Sequence, residues 1–310
     1  MKRREFLKNA GLGLAACWAL GRLPWPSRAW GHAGEMRLAL LSDAHLQSSG
    51  EQQPPARALA RAVSEIRSLQ PPPDLVLFAG DLAHTARADA LGLGREILSD
   101  LPGPLLLVRG EGDGRAWAHR LGEPRFSHAY RGCHLLGLDT VLTPSPAGPA
   151  FALGPEQRRW LAGELARLDP AAPLLILSHA PLAEIFRPWR QWTADAATIQ
   201  PLLARFRHVL CLHGHVHRAE VRGQGAGISN AGIRDQGLGV SNLSDYCFTE
   251  NPKPKTQNHI CLPATAWPRP QALQGTPASP RPGLGPQGCG WLLLSSRPGS
   301  LELLPHLWQA

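Results

Sequence analysis

The chain has 310 residues, of which 43% are hydrophobic and 18% are charged, and its formal net charge is +8. The length allows one large domain or two small ones, and the hydrophobic fraction is typical of a globular core. Residues 1–31 account for +5 of this charge, so the rest of the chain carries only +3 and no basic cluster, and no nucleic-acid partner is expected.

The first 31 residues have the pattern of an export signal. Residues 2–8 read Lys-Arg-Arg-Glu-Phe-Leu-Lys, which resembles the twin-arginine motif R-R-x-F-L-K, and a short apolar run follows at Ala10–Leu20. This run is too short to span a bilayer, and no later apolar stretch is long enough, so no stable membrane span is expected. The pattern predicts a signal peptide over residues 1–31 and one domain over residues 32–310.

Export by this route implies the twin-arginine translocation machinery as a partner and a periplasmic or secreted location. The small residues Ala29 and Gly31 favour cleavage after Gly31, and cleavage after Ala33 is an alternative. Residues 14–17 also match a lipoprotein processing box, which leaves a lipid anchor at Cys17 as a minor alternative.

Apolar runs and helical patterns alternate through the next part of the chain. Short apolar runs bounded by polar or Gly residues are typical of buried strands, and five occur, at Leu38–Ser42, Leu75–Ala79, Leu105–Val108, Leu174–Ser178 and Val209–Leu212. Helical patterns lie between them, at Ala56–Leu69, Ala88–Leu101, Pro155–Leu168 and Thr193–Phe206, the last interrupted by Pro201. This alternation predicts a layered α/β fold.

Four of the predicted strands run into His and Asp residues. These are Asp43 and His45 after the first strand, Asp81 after the second, His179 after the fourth, and His213, His215 and His217 after the fifth. Ligands bind at the carboxyl ends of strands in open α/β sheets. Imidazole and carboxylate donors together suit Mn, Fe or Zn, so these residues predict a transition-metal site. His215 and His217 alternate on an extended segment and share a face, whereas His213 is assigned a structural or supporting role.

The order of these motifs resembles the calcineurin-like metallophosphoesterase superfamily, whose boxes run D-x-H, G-D, G-N-H-D/E, H and G-H-x-H. The helix containing Gln157, Trp160 and Leu161, with the following His179-Ala180-Pro181, is similar to the cyclic-nucleotide phosphodiesterase branch. The resemblance covers about residues 36–220. It implies a four-layer α/β/β/α sandwich, with two mixed sheets flanked by helices.

The resemblance also implies a centre of two divalent or trivalent metal ions. Asp81 would bridge them. The first ion would be completed by Asp43, His45 and His217, and the second by Glu111, His179 and His215. Two cations clamp the phosphoryl oxygens and lower the pKa of a bridging water, which then attacks in line.

The third box departs from the family pattern, because it reads Gly110-Glu111-Gly112-Asp113. Glu111 replaces the Asn ligand and adds a negative charge. Gly112 replaces the His that assists the leaving group, and general acid catalysis of this kind contributes about 10²–10⁴-fold. Asp113 and His84 are the remaining catalytic candidates. His84 is proposed as the substitute acid, and the alternative interpretation is that it is simply an exposed loop residue.

Aromatic and basic residues follow His179 in a short segment that contains Phe186, Arg187, Trp189, Arg190 and Trp192. Flat apolar faces and guanidinium groups stack a base and bind phosphate oxygens, so Arg187 and Arg190 are candidate substrate-binding residues. This interpretation favours a small phosphate ester or nucleotide-like substrate. The alternative is a Trp-rich cover packed on the core with its Arg side chains in solvent.

Beyond about Gly223 the pattern becomes loop-rich, with Gly, Asn, Pro and Gln predominating to residue 310. Residues 223–258 either line the mouth of a substrate site or form an inert surface excursion. Three short apolar runs are predicted as the last strands of the second sheet, at Ile260–Ala264, Trp291–Ser295 and Leu301–Leu304.

Together these features predict an exported phosphoesterase with two metals, most simply a phosphodiesterase that uses a metal-bridging hydroxide. The competing hypothesis is a degenerate relative with weak or no catalysis that serves as a binding or assembly module. Glu111 and Gly112 favour the second hypothesis. Six costly polar groups gathered at strand ends favour the first, because an unused site gives no physical reason to keep them there.

Overall fold

The computed structural model describes residues 35–144, 150–184, 191–217, 219–224, 256–266, 289–297 and 300–308. The predicted signal over residues 1–31 and most of the loop-rich C-terminal part lie outside these residues. Among the helices that are described, none has the length and apolar character needed to cross a bilayer.

Thirteen strands and five α-helices are described. In chain order they are β1 (Met36–Leu41), α1 (Pro54–Arg67), β2 (Leu75–Ala79), α2 (Ala88–Leu98), β3 (Leu105–Val108), α3 (Trp117–Leu121), β4 (Phe126–Tyr130), β5 (Cys133–Leu138), β6 (Val141–Thr143), β7 (Ala150–Ala152), α4 (Gly154–Arg167), β8 (Leu174–Ser178), α5 (Gln200–Leu203), β9 (His208–His213), β10 (Glu220–Gln224), β11 (Thr256–Cys261), β12 (Cys289–Arg297) and β13 (Ser300–Trp308). Proline occupies the first turn of α1, α4 and α5, where its missing N–H has no helical partner to lose.

The strands form two mixed sheets and one small hairpin. The first sheet has the order β13-β12-β1-β2-β3, with β1, β2 and β3 parallel and β12 antiparallel to β1. The second has the order β10-β11-β9-β8-β5-β4, with β5, β8, β9 and β11 parallel. The hairpin pairs β6 with β7.

Side chains of the first sheet divide between two apolar layers, as the period of two in a strand requires. Along β1, Ala39 and Leu41 pack with α1 and α2, whereas Leu38 and Leu40 pack against the second sheet. The far face of the second sheet is covered by α4 and α5. The order of layers is therefore helices, sheet, sheet, helices, which confirms the predicted four-layer sandwich.

The C-terminal runs correct one prediction. Only β11 joins the second sheet, because β12 and β13 extend the first sheet beside β1. The physical reason lies in β12, where Trp291 and Leu293 pack under the helices while Leu292 and Leu294 enter the layer between the sheets. A strand that buries both faces needs the interior position next to β1.

The predicted helix over Thr193–Phe206 is also wrong in extent. It is replaced by a 3₁₀ turn at Ala196–Thr198 and the short α5, since Pro201 begins a new helical turn instead of continuing an old one. The sequence does not predict strands β4 to β7. The run in β5 is interrupted by Gly137, and β4 has only five residues, among which the adjacent Ser127 and His128 break any alternation of polar and apolar side chains.

The carboxyl ends of the parallel strands of both sheets meet at one edge of the sandwich. The loops after β1 and β2 are joined there by backbone hydrogen bonds from Asp43 N to Gly80 O and from His45 N to Asp81 O, each 2.9 Å long. This edge holds the polar residues that the sequence placed at strand ends.

Candidate metal centre

Three of the expected ligands form a first donor group, which consists of Asp43, His45 and His217. Their ligand atoms all lie within 4.8 Å of one another, and the three side chains are buried. His217 Nε2 is 3.2 Å from Asp43 Oδ1 and 3.1 Å from His45 Nε2. One carboxylate and two imidazoles thus converge from the loops after β1 and β9.

A second donor group consists of Glu111, His179 and His215, and its ligand atoms also lie within 4.8 Å of one another. The Glu111 carboxylate lies between the two rings, with Oε2 2.7 Å from His179 Nε2 and Oε1 3.0 Å from His215 Nδ1. The residue that replaces the expected Asn therefore turns its side chain into the cluster.

Asp81 lies between the two donor groups. Its Oδ2 atom is 3.7 Å from His45 Nε2 in the first group and 3.6 Å from His179 Nε2 in the second. Asp81 also forms a group of converging donors with Asp43 and His179. The Asp81 carboxylate is therefore close to both donor groups.

The backbone of the cluster is in an unusual conformation. Five of these residues have positive φ angles between 49° and 64°: Asp43, His45, Asp81, His215 and His217. A non-glycine residue in this left-handed region costs on the order of 1–3 kcal/mol, and such residues concentrate at functional sites. The left-handed turns direct these side chains toward one point at the sheet edge.

Burial and mutual charge perturb the carboxyl groups of the cluster. Burial and the neighbouring Glu111 carboxylate raise the pKa of Asp81 well above its usual range. Burial also acts to raise the pKa of Glu111, but the imidazoles of His215 and His179 lower it well below its usual range. In the same way, His217 outweighs burial and lowers the pKa of Asp43.

The imidazoles are perturbed in two directions. Burial and the neighbouring His217 lower the pKa of His45 to about 3, so that ring is neutral and keeps a lone pair for a ligand bond. Burial acts to lower the pKa of His179, but the carboxylates of Asp81 and Glu111 raise it well above its usual range. The carboxylates of the cluster therefore carry more negative charge than neutral imidazoles can balance, and the charge is balanced only when groups of the cluster take up protons.

Glu111 Oε2 and His179 Nε2 are buried and lie 2.7 Å apart, yet their geometry is not that of a regular hydrogen bond. Buried polar atoms are usually well hydrogen-bonded, so this close contact without regular hydrogen-bond geometry is unusual. Carboxylate and imidazole groups are the ligands that Mn, Fe and Zn prefer, and a cation between these two groups would bind both and supply positive charge to the carboxylates. The donor set thus fits the two metal ions that the sequence implies.

Asp113 shapes the loops that carry the ligands. Its carboxylate is buried and accepts hydrogen bonds from Asp81 N at 3.0 Å, Ala83 N at 2.8 Å and Gly110 N at 2.8 Å. Burial raises its pKa to about 7, against the opposing effect of these backbone donors. Both oxygens are thus engaged by the main chain, and a catalytic role for Asp113 stays a prediction.

Gly112 fills a position at which the chain leaves no space for a side chain. Its N–H donates a 2.7 Å hydrogen bond to Asp81 Oδ1, and a Cβ atom placed on it would lie 2.3 Å from the carbonyl oxygen of Ala83. The loop after β3 is therefore packed directly on the loop after β2. The missing His of the third box has been replaced by a close backbone contact.

We expect Gly112→Ala to lower the free energy of unfolding by about 1–3 kcal/mol, because the added methyl group forces these two loops apart. Urea unfolding of the metal-free protein measures this loss. Gly92→Ala is the matched control, since a Cβ at Gly92 in α2 meets nothing within 4 Å, and a small gain in stability is expected there. Equal stability of Gly112→Ala and the unaltered chain would contradict the packing argument.

His84 lies on the outer side of the first donor group and is half-buried. Its Nδ1 atom is 3.5 Å from His45 Nδ1, and the two rings meet edge to face with centroids 5.5 Å apart. The structure thus places His84 beside a proposed ligand. Its role as a substitute acid stays a prediction, and so do the roles of Arg187 and Arg190, which lie outside the described residues.

Gln191 also lies at the site, although no motif of the sequence indicates it; it is buried, and its Oε1 atom is 2.8 Å from His215 Nε2. A single Gln inside the Trp-rich segment carries no local signal for this contact. His213, for which the sequence predicts a structural or supporting role, has its Nε2 atom 3.3 Å from the thiol of Cys261.

Comparison with known proteins gives three likenesses and one family match. The sequence model described as calcineurin-like phosphoesterase matches residues 36–219. The chain is 26% identical over 207 residues to a probable glycerophosphodiester phosphodiesterase of Arcobacter nitrofigilis and 26% identical over 205 residues to a probable cyclic nucleotide phosphodiesterase of Rhodopseudomonas palustris. Each alignment covers 59% of this chain and 72% of the relative.

A purple acid phosphatase from yellow lupin, Lupinus luteus, has a similar fold, with a TM-score of 0.57 at 13% identity. The likeness covers 92% of this chain, which spans 54% of the length of the lupin protein.

Proposed function

The chain belongs to the calcineurin-like phosphoesterase family, a family of metal-dependent phosphoric ester hydrolases, and we propose that it is an exported phosphodiesterase with a dinuclear metal centre. The position of Asp81 carries this proposal. Its carboxylate lies 3.7 Å from His45 Nε2 in the first donor group and 3.6 Å from His179 Nε2 in the second, which suits a ligand shared by two cations. The two phosphodiesterase relatives support a diester as substrate.

The chain's own residues would hold the cations and keep their shared ligand in place. Asp43, His45 and His217 would hold one cation, Glu111, His179 and His215 the other, and Asp81 both. When bound, such cations polarise the phosphoryl oxygens and lower the pKa of the attacking water. The Gly112 N–H and the Asp113 carboxylate keep Asp81 and its loop in place through their hydrogen bonds.

Leaving-group protonation is the task for which the third box supplies no imidazole. We propose His84 for it, because it is half-buried beside His45 at the rim of the first donor group. Substrates with acidic leaving groups need this proton least. His84→Ala should therefore affect poor leaving groups more than p-nitrophenolate.

Hydrolysis of bis-p-nitrophenyl phosphate and p-nitrophenyl phosphate under added Mn²⁺ tests the proposed activity. We expect metal-dependent turnover with a higher kcat/KM for the diester. A preference for the monoester would replace the diesterase proposal with a monoesterase. Absence of turnover on both esters would favour the binding or assembly module, to which Glu111 and Gly112 point.

Arg187 and Arg190 are proposed to bind the substrate phosphate. We expect Arg187→Ala and Arg190→Ala each to raise KM for the diester while leaving metal content unchanged, because the guanidinium groups would contact substrate oxygens and no metal. Steady-state kinetics with elemental analysis of the same samples measures both quantities. Unaltered KM in both variants would remove these residues from the substrate site and favour the Trp-rich cover.

Export through the twin-arginine route is likewise proposed from residues 2–8 and the apolar run that follows them. Replacing Arg3 and Arg4 by Lys should retain the chain in the cytoplasm. Fractionation of cells that express both forms tests this, and equal export of both would contradict it.

A further inference from the structure

We propose that Gln191 is a positioning residue that fixes the ring of His215 and thereby sets the cation affinity of the second donor group. The inference rests on the proposed function, because it concerns the same centre. It adds a residue that no motif of the sequence contains, and its test measures cation binding instead of turnover.

The two nitrogens of His215 face different partners. Nδ1 is 3.0 Å from Glu111 Oε1 inside the donor group, and Nε2 is 2.8 Å from Gln191 Oε1 behind it. An amide oxygen only accepts hydrogen bonds, so the proton of a neutral ring lies on Nε2 and is donated to Gln191. Nδ1 then keeps the lone pair that a cation requires.

The ring of His179 is fixed in the same way, but by a main-chain acceptor. Its Nδ1 atom is 2.7 Å from the carbonyl oxygen of Ala79, and its Nε2 atom faces Glu111 Oε2 at 2.7 Å. The two rings thus present opposite nitrogens to Glu111, each fixed by an acceptor on its far side. Of these two acceptors, the one behind His215 is a side chain that substitution can remove.

Gln191 is itself held in a fixed position. Its side chain is only 1% exposed, and the backbone just beyond it is anchored by hydrogen bonds from Thr193 N to Pro181 O and from Ala194 N to Phe151 O, both 2.8 Å long. The ring of Phe151 packs edge-on against His215, with centroids 4.8 Å apart. Phe151 of β7 and Gln191 therefore both contact the imidazole of His215 and restrict its orientation.

Loss of the hydrogen bond between His215 and Gln191 should have a measurable effect on metal affinity. Removing an outer partner of a metal-ligating His lowers metal affinity by about 10–100-fold, because the ring loses its orientation and its fixed tautomer. A carboxylate in place of the amide keeps the acceptor. Affinity should therefore follow the presence of an acceptor oxygen at residue 191, and not the volume or the charge of the side chain.

Calorimetric titration of the metal-free full chain with Mn²⁺ tests this, using Gln191→Met to remove the acceptor and Gln191→Glu to retain it. Gln157→Met is the matched control, because Gln157 is also buried but hydrogen-bonds only to backbone groups of Asp139 and Leu153 among the contacts described. We expect Gln191→Met to weaken one of two Mn²⁺ sites about 10–100-fold, while Gln191→Glu and Gln157→Met retain both.

Four results would overturn the inference. If the unaltered chain binds two Mn²⁺ ions and Gln191→Met binds both equally tightly, the positioning role is wrong while the proposed function stands. The positioning role is also wrong if Gln157→Met loses as much affinity as Gln191→Met, since the effect would then be a loss of packing. If the unaltered chain binds no Mn²⁺, the proposed centre fails as well. A Gln191→Met chain that does not fold leaves Gln191→Glu to decide, because weakened binding there would contradict the acceptor argument.

Discussion

Asp81→Asn is expected to lower the metal-dependent hydrolysis of bis-p-nitrophenyl phosphate by about 10²-fold or more, and to reduce the bound metal below two ions per chain. A metal centre contributes several kcal/mol to phosphoryl transfer, and each 1.36 kcal/mol is tenfold in rate. Asp81 is buried between the two donor groups, so its charge acts on both. The neutral amide would keep the shape of the side chain and lose the charge.

The measurement combines kcat/KM with elemental analysis of the same preparation. Asp89→Asn is the control, because the Asp89 side chain is 38% exposed and pairs only with Arg87 among the ion pairs described. It should retain full metal content and turnover. An Asp81→Asn protein with both metals and normal turnover would show that Asp81 is not the shared ligand.

Asp113→Ala has the largest expected effect on stability, a loss of about 3 kcal/mol or more in the free energy of unfolding. Three backbone N–H groups, those of Asp81, Ala83 and Gly110, donate to this carboxylate. A buried donor left without an acceptor costs about 1–3 kcal/mol. The substitution also leaves a cavity where the loops after β2 and β3 meet.

Urea unfolding of the metal-free protein measures the loss without any contribution from metal binding. Asp100→Ala is the control, because Asp100 is exposed and its ion pair with Arg67 is 3.4 Å long, and such surface substitutions change stability by about 0.5 kcal/mol or less. A loss below about 1 kcal/mol for Asp113→Ala would show that water satisfies the three donors instead. A catalytic role for Asp113 would be indicated if turnover fell while stability did not.

The positions of the strands could be predicted from the sequence because buried strands leave uninterrupted apolar runs. The run at Leu75–Ala79 matches β2 residue for residue, and the polar residues that follow such runs must lie at the carboxyl edge of the sheet. Asp43, Asp81 and His217 could therefore be nominated without coordinates. Their distances could not, because these depend on the register between strands and on left-handed backbone turns that no residue type specifies.

The sheet that a strand joins depends on what packs against each of its two faces. The apolar residues of β12 are continuous, and nothing along Trp291–Ser295 shows that one face packs under helices and the other between the sheets. The same limit applies to Gln191. Its partner His215 is 24 positions away along the chain, and only the folded path of the segment after β8 brings the two side chains together.

The structural consequences of the two substitutions in the third box could not be predicted from the sequence. From the sequence, Glu111 and Gly112 look like losses from a family motif. In the folded chain the Glu111 carboxylate lies between two imidazoles, and Gly112 allows a backbone N–H to reach Asp81. The box is thus rebuilt around a different set of contacts, and the proposed substitute for its imidazole, His84, comes from the neighbouring loop.

The metal content of the purified full chain, determined by elemental analysis after saturation with Mn²⁺ and removal of the free ion, tests the central claim most directly. Two ions per chain, falling when Asp81 is replaced by Asn but not when Asp89 is, is the predicted result. One ion would mean that the two donor groups do not act as a pair across Asp81. No bound ion would contradict the metal centre and leave the converging carboxylates and imidazoles as a network of buried ion pairs.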